Sequence, residues 1–323
     1  MRFLVMGLGS MGKRRIRCLK SLGHVDITGF DLRADRREEA KEKHGIKILD
    51  RCDSIDPEYD AVVVSVPPDA HLEIVRRAVA AGVPSFVEAS VILEGLESLE
   101  KEALAAKVLV APSCTLRFHP AVRAIKKIVR DEEFGGFTNF SYHSGQYLPD
   151  WHPWENVKDY YVSKRETGGA REIVPFELTW LTDVFGPPVA ARGLRGATMD
   201  VGADIDDTYT IALQFQRGFG SLMVDVVSRY AVRTLTLNLE RGQVVWKWDE
   251  PNIRVYDASS CRWSVRPYQV EPAHEDYNPH ITEKMYVEEL MAFVEAVQGK
   301  SGFPHSLSED IGVLRVLADA ERG

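Results

Sequence analysis

Two periods of hydrophobic residues divide the chain. Over the first third, short apolar runs stop abruptly and stretches of helical spacing follow them. Arg2-Phe3-Leu4-Val5-Met6 leads into a helical pattern from Met11 to Ser21, and a second run, Val25 to Phe30, closes at Asp31. Ala61-Val62-Val63-Val64-Ser65-Val66 is a continuous, mostly β-branched run, as expected of a strand buried on both faces. Asp69 suits the N-cap of the next helix, whose stripe is Leu72, Val75 and Val79. A strand from Val83 to Val87 ends at Glu88. Strands alternating with helices predict right-handed βαβ units and a doubly wound parallel sheet, with ligands at the carboxyl ends of the strands.

Later the period shortens to two. Tyr209, Ile211, Leu213 and Phe215 alternate with Thr208, Thr210, Ala212 and Gln214. Arg217-Gly218 turns that strand into Ser221–Val227, and Arg241-Gly242 joins Leu235–Leu239 to Val244–Trp248. Helices are expected over Ala121 to Arg130, Thr282 to Val297 and, behind the capping box Ser306-Leu307-Ser308-Glu309, through Ala320. The fold class is therefore α/β: a parallel-sheet domain over residues 1–119, an α+β domain with a mainly antiparallel open sheet over 120–305, and a closing helix over 306–323. Between Ser144 and Glu166 little regular patterning survives, yet aromatics are dense. A long irregular loop in a compact domain is usually functional.

The turn after the first strand, Gly7-Leu8-Gly9-Ser10-Met11-Gly12, carries the chemistry of a dinucleotide site. Gly7 permits the tight turn, Gly9 lets the backbone approach a pyrophosphate, and Gly12 lets the helix lie close to the strand. N–H groups at a helix start favour an anion. Asp31 is placed to hydrogen-bond a ribose diol, which favours NAD, while Arg33 would suit the 2′-phosphate of NADP. Ser65, Val66, Pro67, His71 and Glu88 fall at the same sheet edge. The early helix carries Lys13, Arg14, Arg15 and Arg17, expected on a solvated face, the alternative being that one or two lie near the phosphates.

With 323 residues, 45% hydrophobic and 27% charged, the chain is ordinary for a globular protein. A net charge of −8 argues against wrapping nucleic acid. The four cysteines have no metal-type spacing, and no apolar run matches a membrane-spanning helix, so reduced thiols and a cytoplasmic location without metal or membrane are expected.

The chain resembles the Gfo/Idh/MocA family of NAD(P)-dependent oxidoreductases. The matching pieces are Gly7–Gly12, Val64-Ser65-Val66-Pro67-Pro68-Asp69-Ala70-His71, the segment ending in Glu88, Arg117-Phe118-His119-Pro120 at the domain junction, and Gly168-Gly169 opening a helix that ends at Phe185-Gly186. Tyr147-Leu148-Pro149-Asp150-Trp151-His152-Pro153 resembles a branch associated with nucleotide-sugar and nonulosonate pathways. The resemblance implies a Rossmann domain, hydride transfer to or from a sugar, cyclitol or nucleotide-sugar, a cofactor contact from Arg117, a last helix returning to the first domain, and a homo-oligomer (dimer or tetramer) built on the outer sheet face. Trp246 and Trp248 are candidates for that interface, with core packing an equal alternative.

The same alignment exposes three departures. The family's Glu-Lys-Pro is Glu88-Ala89-Ser90 here, and its catalytic histidine and aspartate fall on Phe176 and Thr179. Oxidising a hydroxyl-bearing carbon still needs a group to take the hydroxyl proton. Candidates are His152 as proton carrier, Lys164 as lysine substitute, and the acids Glu172 and Glu177. Helical spacing puts Glu177 within an apolar stripe of Ile173, Phe176, Trp180 and Val184, where an acid must be paired, protonated or turned to a polar cavity; Pro175 is expected to kink or start that helix. Tyr147, Trp151, Trp154 and Tyr161 offer faces for a sugar or base, and Arg165 a fork for an anion. Three readings remain: an oxidoreductase with a non-standard catalytic set, a redox-neutral NAD-dependent sugar-processing enzyme, or an inactive dinucleotide-binding sensor or partner.

Overall fold

A computed structural model describes residues 1–151, 156–269, 271 and 282–323. The chain forms two compact units, 1–115 with 283–311, and 116–282 with 312–323.

The first unit begins β1 (Arg2–Met6), α1 (Ser10–Ser21), β2 (Asp26–Phe30), α2 (Ala34–His44), β3 (Lys47–Ile48), β4 (Ala61–Val64), α3 (His71–Ala80), β5 (Ser85–Val87), α4 (Leu96–Ala106) and β6 (Val110–Pro112). Its six strands lie in the order β3-β2-β1-β4-β5-β6, all parallel, with the reversal of direction between β1 and β4. This is the doubly wound sheet that the alternation of runs predicts. Ala61 to Val64 are buried throughout, as a strand covered on both faces requires. Asp69 is not the helix cap: it lies inside a 3₁₀ turn, Pro68–Ala70, and Ala70 holds the cap position of α3.

The second unit contains α5 (Pro120–Arg130), β7 (Phe137–Tyr147), α6 (Ala170–Phe185), β8 (Ala190–Gly196), β9 (Thr208–Gln214), β10 (Phe219–Asp225), β11 (Val227–Leu239), β12 (Gly242–Lys247), β13 (Asn252–Asp257) and β14 (Arg262–Pro267). They form an eight-stranded sheet in the order β14-β13-β12-β11-β7-β10-β9-β8. Only β7 and β10 run parallel; every other neighbouring pair is antiparallel. The aromatic loop is shorter than expected, because β7 continues to Tyr147, and 3₁₀ turns follow at Leu148–Asp150, Val157–Asp159 and Tyr161–Ser163. Trp246 and Trp248 are buried against Tyr142, Trp180 and His119, so they belong to this unit's core and not to an outer interface.

Two helices depart from the expected domain limits. α7 (Lys284–Val297) belongs to the first unit, where Tyr286, Glu289, Leu290 and Phe293 are buried. α8 (Leu307–Glu321) starts there behind its capping box: Ser306 Oγ accepts from Glu309 N at 3.2 Å, and Ser306 N donates to Glu309 Oε2 at 2.7 Å. From Gly312 onward the helix belongs to the second unit. There Glu321 accepts from Arg171 Nε at 2.7 Å, Arg195 Nη1 at 2.9 Å and Tyr209 Oη at 2.9 Å, which accounts for its not staying with the first unit.

Candidate functional site

In the first unit the site grows from the exit of β1. Gly7 has φ +92°, and a Cβ there would stand 2.4 Å from the Ser65 carbonyl oxygen. A Cβ on Gly12 would fall 1.9 Å from the Gly7 carbonyl oxygen. α1 can therefore begin directly over the turn only because both positions lack side chains. Gly9 takes the N-cap position and has no side chain to cap α1, and no acid sits in the first turn, so this helix end is positive and suits an anion.

Asp31 ends β2 beside that turn. Its Oδ2 accepts from Leu8 N at 2.8 Å and its Oδ1 from Arg33 N at 2.9 Å, so the carboxylate is fixed and each oxygen retains a lone pair for a ribose hydroxyl. The Arg33 guanidinium pairs with Asp35 in the first turn of α2. Arg36 Nη1 lies 3.9 Å from Asp31 and 3.3 Å from where a Gly9 Cβ would stand.

Across the switch point, Ser65, Val66 and Pro67 leave the end of β4, and Ser65 Oγ donates to Glu88 Oε1 at 3.3 Å. His71 is buried and its Nε2 meets the Val66 carbonyl at 2.8 Å, which fixes the loop from inside. Burial lowers its pKa, so the ring is the neutral tautomer holding this loop.

The basic residues of α1 do not form a solvated face. Arg15 is fully buried, forks onto Glu88 at 2.6 and 2.9 Å, and meets Glu289 of α7 at 2.8 Å. Its guanidinium also lies 4.5 Å from the Phe86 ring centre. Glu289 takes further donors from Ser113 Oγ at 3.0 Å, Thr115 Oγ1 at 2.7 Å and Cys114 N. Lys13 pairs with Glu39 and Arg17 with Glu283. Glu88 is thus a half-buried ion-pair partner at the end of β5. The sequence signal for this cluster was available: Glu289 falls at helical spacing between Tyr286 and Phe293, on the buried face of α7.

In the second unit the two candidate acids part company. Glu177 is fully buried, and four donors occupy it: Ser144 Oγ and Arg233 Nε on Oε1, both at 2.8 Å, with Tyr142 Oη at 2.7 Å and Trp180 Nε1 at 2.9 Å on Oε2. No acceptor position is left for a substrate proton, so Glu177 organises this core and is corrected as a proton carrier. Arg233, which the sequence reading missed, also stacks 4.4 Å from the Trp248 ring centre. Pro175 does not start α6; it lies one and a half turns inside a helix that begins at Ala170. The helix is buried on most sides, with Val174, Leu178 and Leu181 in the core as well as Trp180 and Val184. Phe176 is half-buried, and Thr179 spends its hydroxyl on the Pro175 carbonyl at 2.8 Å.

Glu172, in the first turn of α6, receives one donor, Tyr161 Oη at 2.6 Å. Its other oxygen is buried with no hydrogen-bond partner among the described residues. Burial outweighs that single hydrogen bond and pushes the carboxyl up to about 7. Trp151 Nε1 is likewise buried without an acceptor among the described residues. Tyr147 carries Arg229 on its ring at 3.8 Å. Arg165 is not a free anion fork: it is committed to Asp204 at 2.6 Å and Asp206 at 2.8 Å. Lys164 is exposed. Arg117 lies in this unit, its Nε donating to the Thr179 carbonyl at 3.2 Å and its Nη1 3.4 Å from Asp183. His152 and Trp154 lie outside the described residues.

Residues 1–111 match the oxidoreductase family described by an NAD-binding Rossmann fold, Gfo/Idh/MocA. The first unit's glycine turn, its Asp31 and its strand order are those of a dinucleotide-binding Rossmann sheet. Residues 1–111 are thus similar to the NAD-binding Rossmann domain of that family. The chain is 28% identical to the uncharacterized oxidoreductase YrbE of Bacillus subtilis (strain 168), across 98% of this chain and 92% of the relative. An oxidoreductase from Agrobacterium radiobacter, solved with NAD+, L-tartaric acid and magnesium, shares the fold with a TM-score of 0.87 at 11% identity, covering 100% of this chain and 95% of that one. A levoglucosan dehydrogenase solved with NADH and levoglucosan gives a TM-score of 0.85 at 17% identity, covering 100% and 96%. The Gfo/Idh/MocA Rossmann domain is NAD-binding, and the residues at this chain's turn fit that cofactor. Among the described residues no cluster of His, Cys, Asp and Glu could hold a metal, and no helix is long and apolar enough to cross a membrane. Cys18 and Cys114 are buried, Cys52 half-buried and Cys261 exposed, all as free thiols.

Proposed function

We propose that the chain is an NAD-dependent dehydrogenase of a sugar-like molecule, oxidising or reducing a CH–OH carbon. One observation carries the reading: a glycine turn too tight for any side chain ends in an uncapped helix start, with the Asp31 carboxylate fixed beside it. The pyrophosphate would lie on the N–H groups at Ser10 to Gly12, and the adenosine ribose on Asp31. NAD is preferred over NADP because a 2′-phosphate would meet the Asp31 anion while Arg33 is held by Asp35. When bound, the nicotinamide supplies the hydride acceptor. The levoglucosan dehydrogenase that shares this fold, solved with its sugar, supports a polyhydroxylated substrate. In the second unit the Trp151 indole N–H and the aromatic faces of Tyr147 and Tyr161 are the groups we assign to its recognition.

A second reading is favoured by a specific observation. Ala89 and Phe176 have no proton to move, and Thr179 has turned its hydroxyl into its own helix. On that reading the chain binds NAD as a sensor or partner and turns nothing over. The two separate in one experiment: protein, NAD+ or NADH, and a panel of sugars, cyclitols and nucleotide-sugars, followed by nicotinamide absorbance and by product analysis. Absorbance change with substrate supports the dehydrogenase. Product without net change points to redox-neutral processing, and tight NADH binding with no product supports the sensor.

A further inference from the structure

The geometry points to Tyr161 and Glu172 as the proton-handling pair of this protein, Tyr161 meeting the substrate hydroxyl and Glu172 taking the proton through it. The inference rests on the dehydrogenase reading and supplies the group that the loss of the family's lysine, histidine and aspartate leaves missing.

Three observations converge on the pair. Tyr161 Oη donates to Glu172 Oε1 at 2.6 Å, a short, charge-assisted contact along which a proton can pass. Glu172 Oε2 is buried and has no partner among the described residues, although buried polar atoms are nearly always satisfied. The first turn of a helix would ordinarily favour the anion, yet the side chain sits where ionised and neutral forms are close in energy at neutral pH. That balance is what a general base needs, and it comes from burial, which the single donor Tyr161 does not offset. The neighbouring cations are committed elsewhere: Arg171 to Glu321, and Arg165 to Asp204 and Asp206. The Tyr161 hydroxyl is the only titratable partner acting on Glu172 among the described residues.

The step balances. The substrate carbon loses a hydride to the oxidised nicotinamide, and the hydroxyl oxygen keeps its bond to carbon as C=O forms. The hydroxyl proton moves to Tyr161 Oη as the phenolic proton moves to Glu172 Oε1, and Glu172 then releases it to water. In the reduction direction the same protons run backwards.

The test uses the full chain, Glu172→Gln and Tyr161→Phe, with three readouts. NADH fluorescence titration should leave both variants within about twofold of the parent, since neither residue is placed at the glycine turn. Infrared difference spectra between pH 5 and 9 should show a carboxylic C=O band with a midpoint near 7 that is absent from Glu172→Gln and moved upward in Tyr161→Phe, which loses the donor that favours the anion. On a substrate found in the panel, kcat should fall roughly 10²- to 10⁴-fold in both variants, and the rise of kcat/KM through neutral pH should vanish in Glu172→Gln. A parent enzyme that turns over, with Glu172→Gln keeping its kcat and its pH limb, overturns the pair and leaves the dehydrogenase standing. A carboxyl that titrates below pH 5 overturns it without any substrate. A parent that oxidises nothing in the panel refutes the dehydrogenase reading itself, and this role for the pair with it.

Discussion

Replacing Gly12 with alanine is the sharpest probe of the glycine turn. The new Cβ would stand 1.9 Å from the Gly7 carbonyl oxygen, where contacts under 3.0 Å are essentially never found, so the start of α1 must move outward by about 1.1 Å. Gly7 cannot yield instead. Its N–H donates to the Phe30 carbonyl at 2.8 Å, which ties it to the end of β2. A pyrophosphate hydrogen bond of about 2.9 Å lengthened by that much is no longer one. Each such bond to a charged group contributes about 1.5–3 kcal/mol, so losing one weakens NADH binding roughly 10- to 150-fold. Overpacking should also cost about 1–3 kcal/mol of stability. The assay is fluorescence titration with NADH beside a urea melt. Gly312→Ala is the control: this helical glycine in α8 has nothing within 4 Å of its Cβ position, and the change should stabilise by about 0.5–1 kcal/mol with binding unaltered. Gly12→Ala binding NADH within threefold of the parent would show that the turn does not cradle the dinucleotide.

Other outcomes follow from the same geometry. Asp31→Ala should weaken NADH binding about tenfold or more and narrow the preference over NADPH, read as the ratio of the two dissociation constants; an unchanged ratio refutes the role of Asp31. Glu289→Gln leaves the buried Arg15 short of a counter-charge and should lower stability by about 3–5 kcal/mol in denaturant melts, whereas a loss below 1 kcal/mol would mean the cluster is solvated. Because the folded-state pKa of Glu172 is raised from 4.5 to about 7, the folded protein binds the extra proton. Its contribution is complete below about pH 4.5 and is lost as pH rises to 7, a difference of about 3 kcal/mol. Glu172→Gln should therefore melt higher than the parent at pH 8 but not at pH 4.5, and equal gains at both pH values would contradict this. His119 runs the opposite way. Burial lowers it to about 3, so its contribution is present at neutral pH and is lost as pH falls below 6.5 toward 3; His119→Gln should flatten the acid limb of the stability profile.

What could be read from the sequence was what is local. The glycine turn, the β-branched run at Ala61–Val64 and the capping box at Ser306 each declare themselves within a few residues, because strand burial, turn strain and helix capping act over that range. The turn's geometry and the parallel sheet around it were legible for that reason. Arg15 was misread because its partner is 274 positions away, and a run of basic residues on a helix looks solvated until its counter-charges are found. Glu177 was correctly placed on a buried face, but the four donors that saturate it come from β7, β11 and its own helix, and only folding brings them together. The split of α8 was invisible because its two halves share one helical period.

The first unit is assembled from two separated stretches of chain, and its buried Arg15 draws on an acid from the later one. A single cut after residue 119 would therefore release no self-sufficient nucleotide-binding module, but a fragment whose Arg15 keeps Glu88 and loses Glu289, with a bare hydrophobic flank where α7 belongs. Anyone recombining this protein with a cousin must transplant residues 283–311 along with the amino-terminal segment, and expression of the fragment alone should give insoluble material.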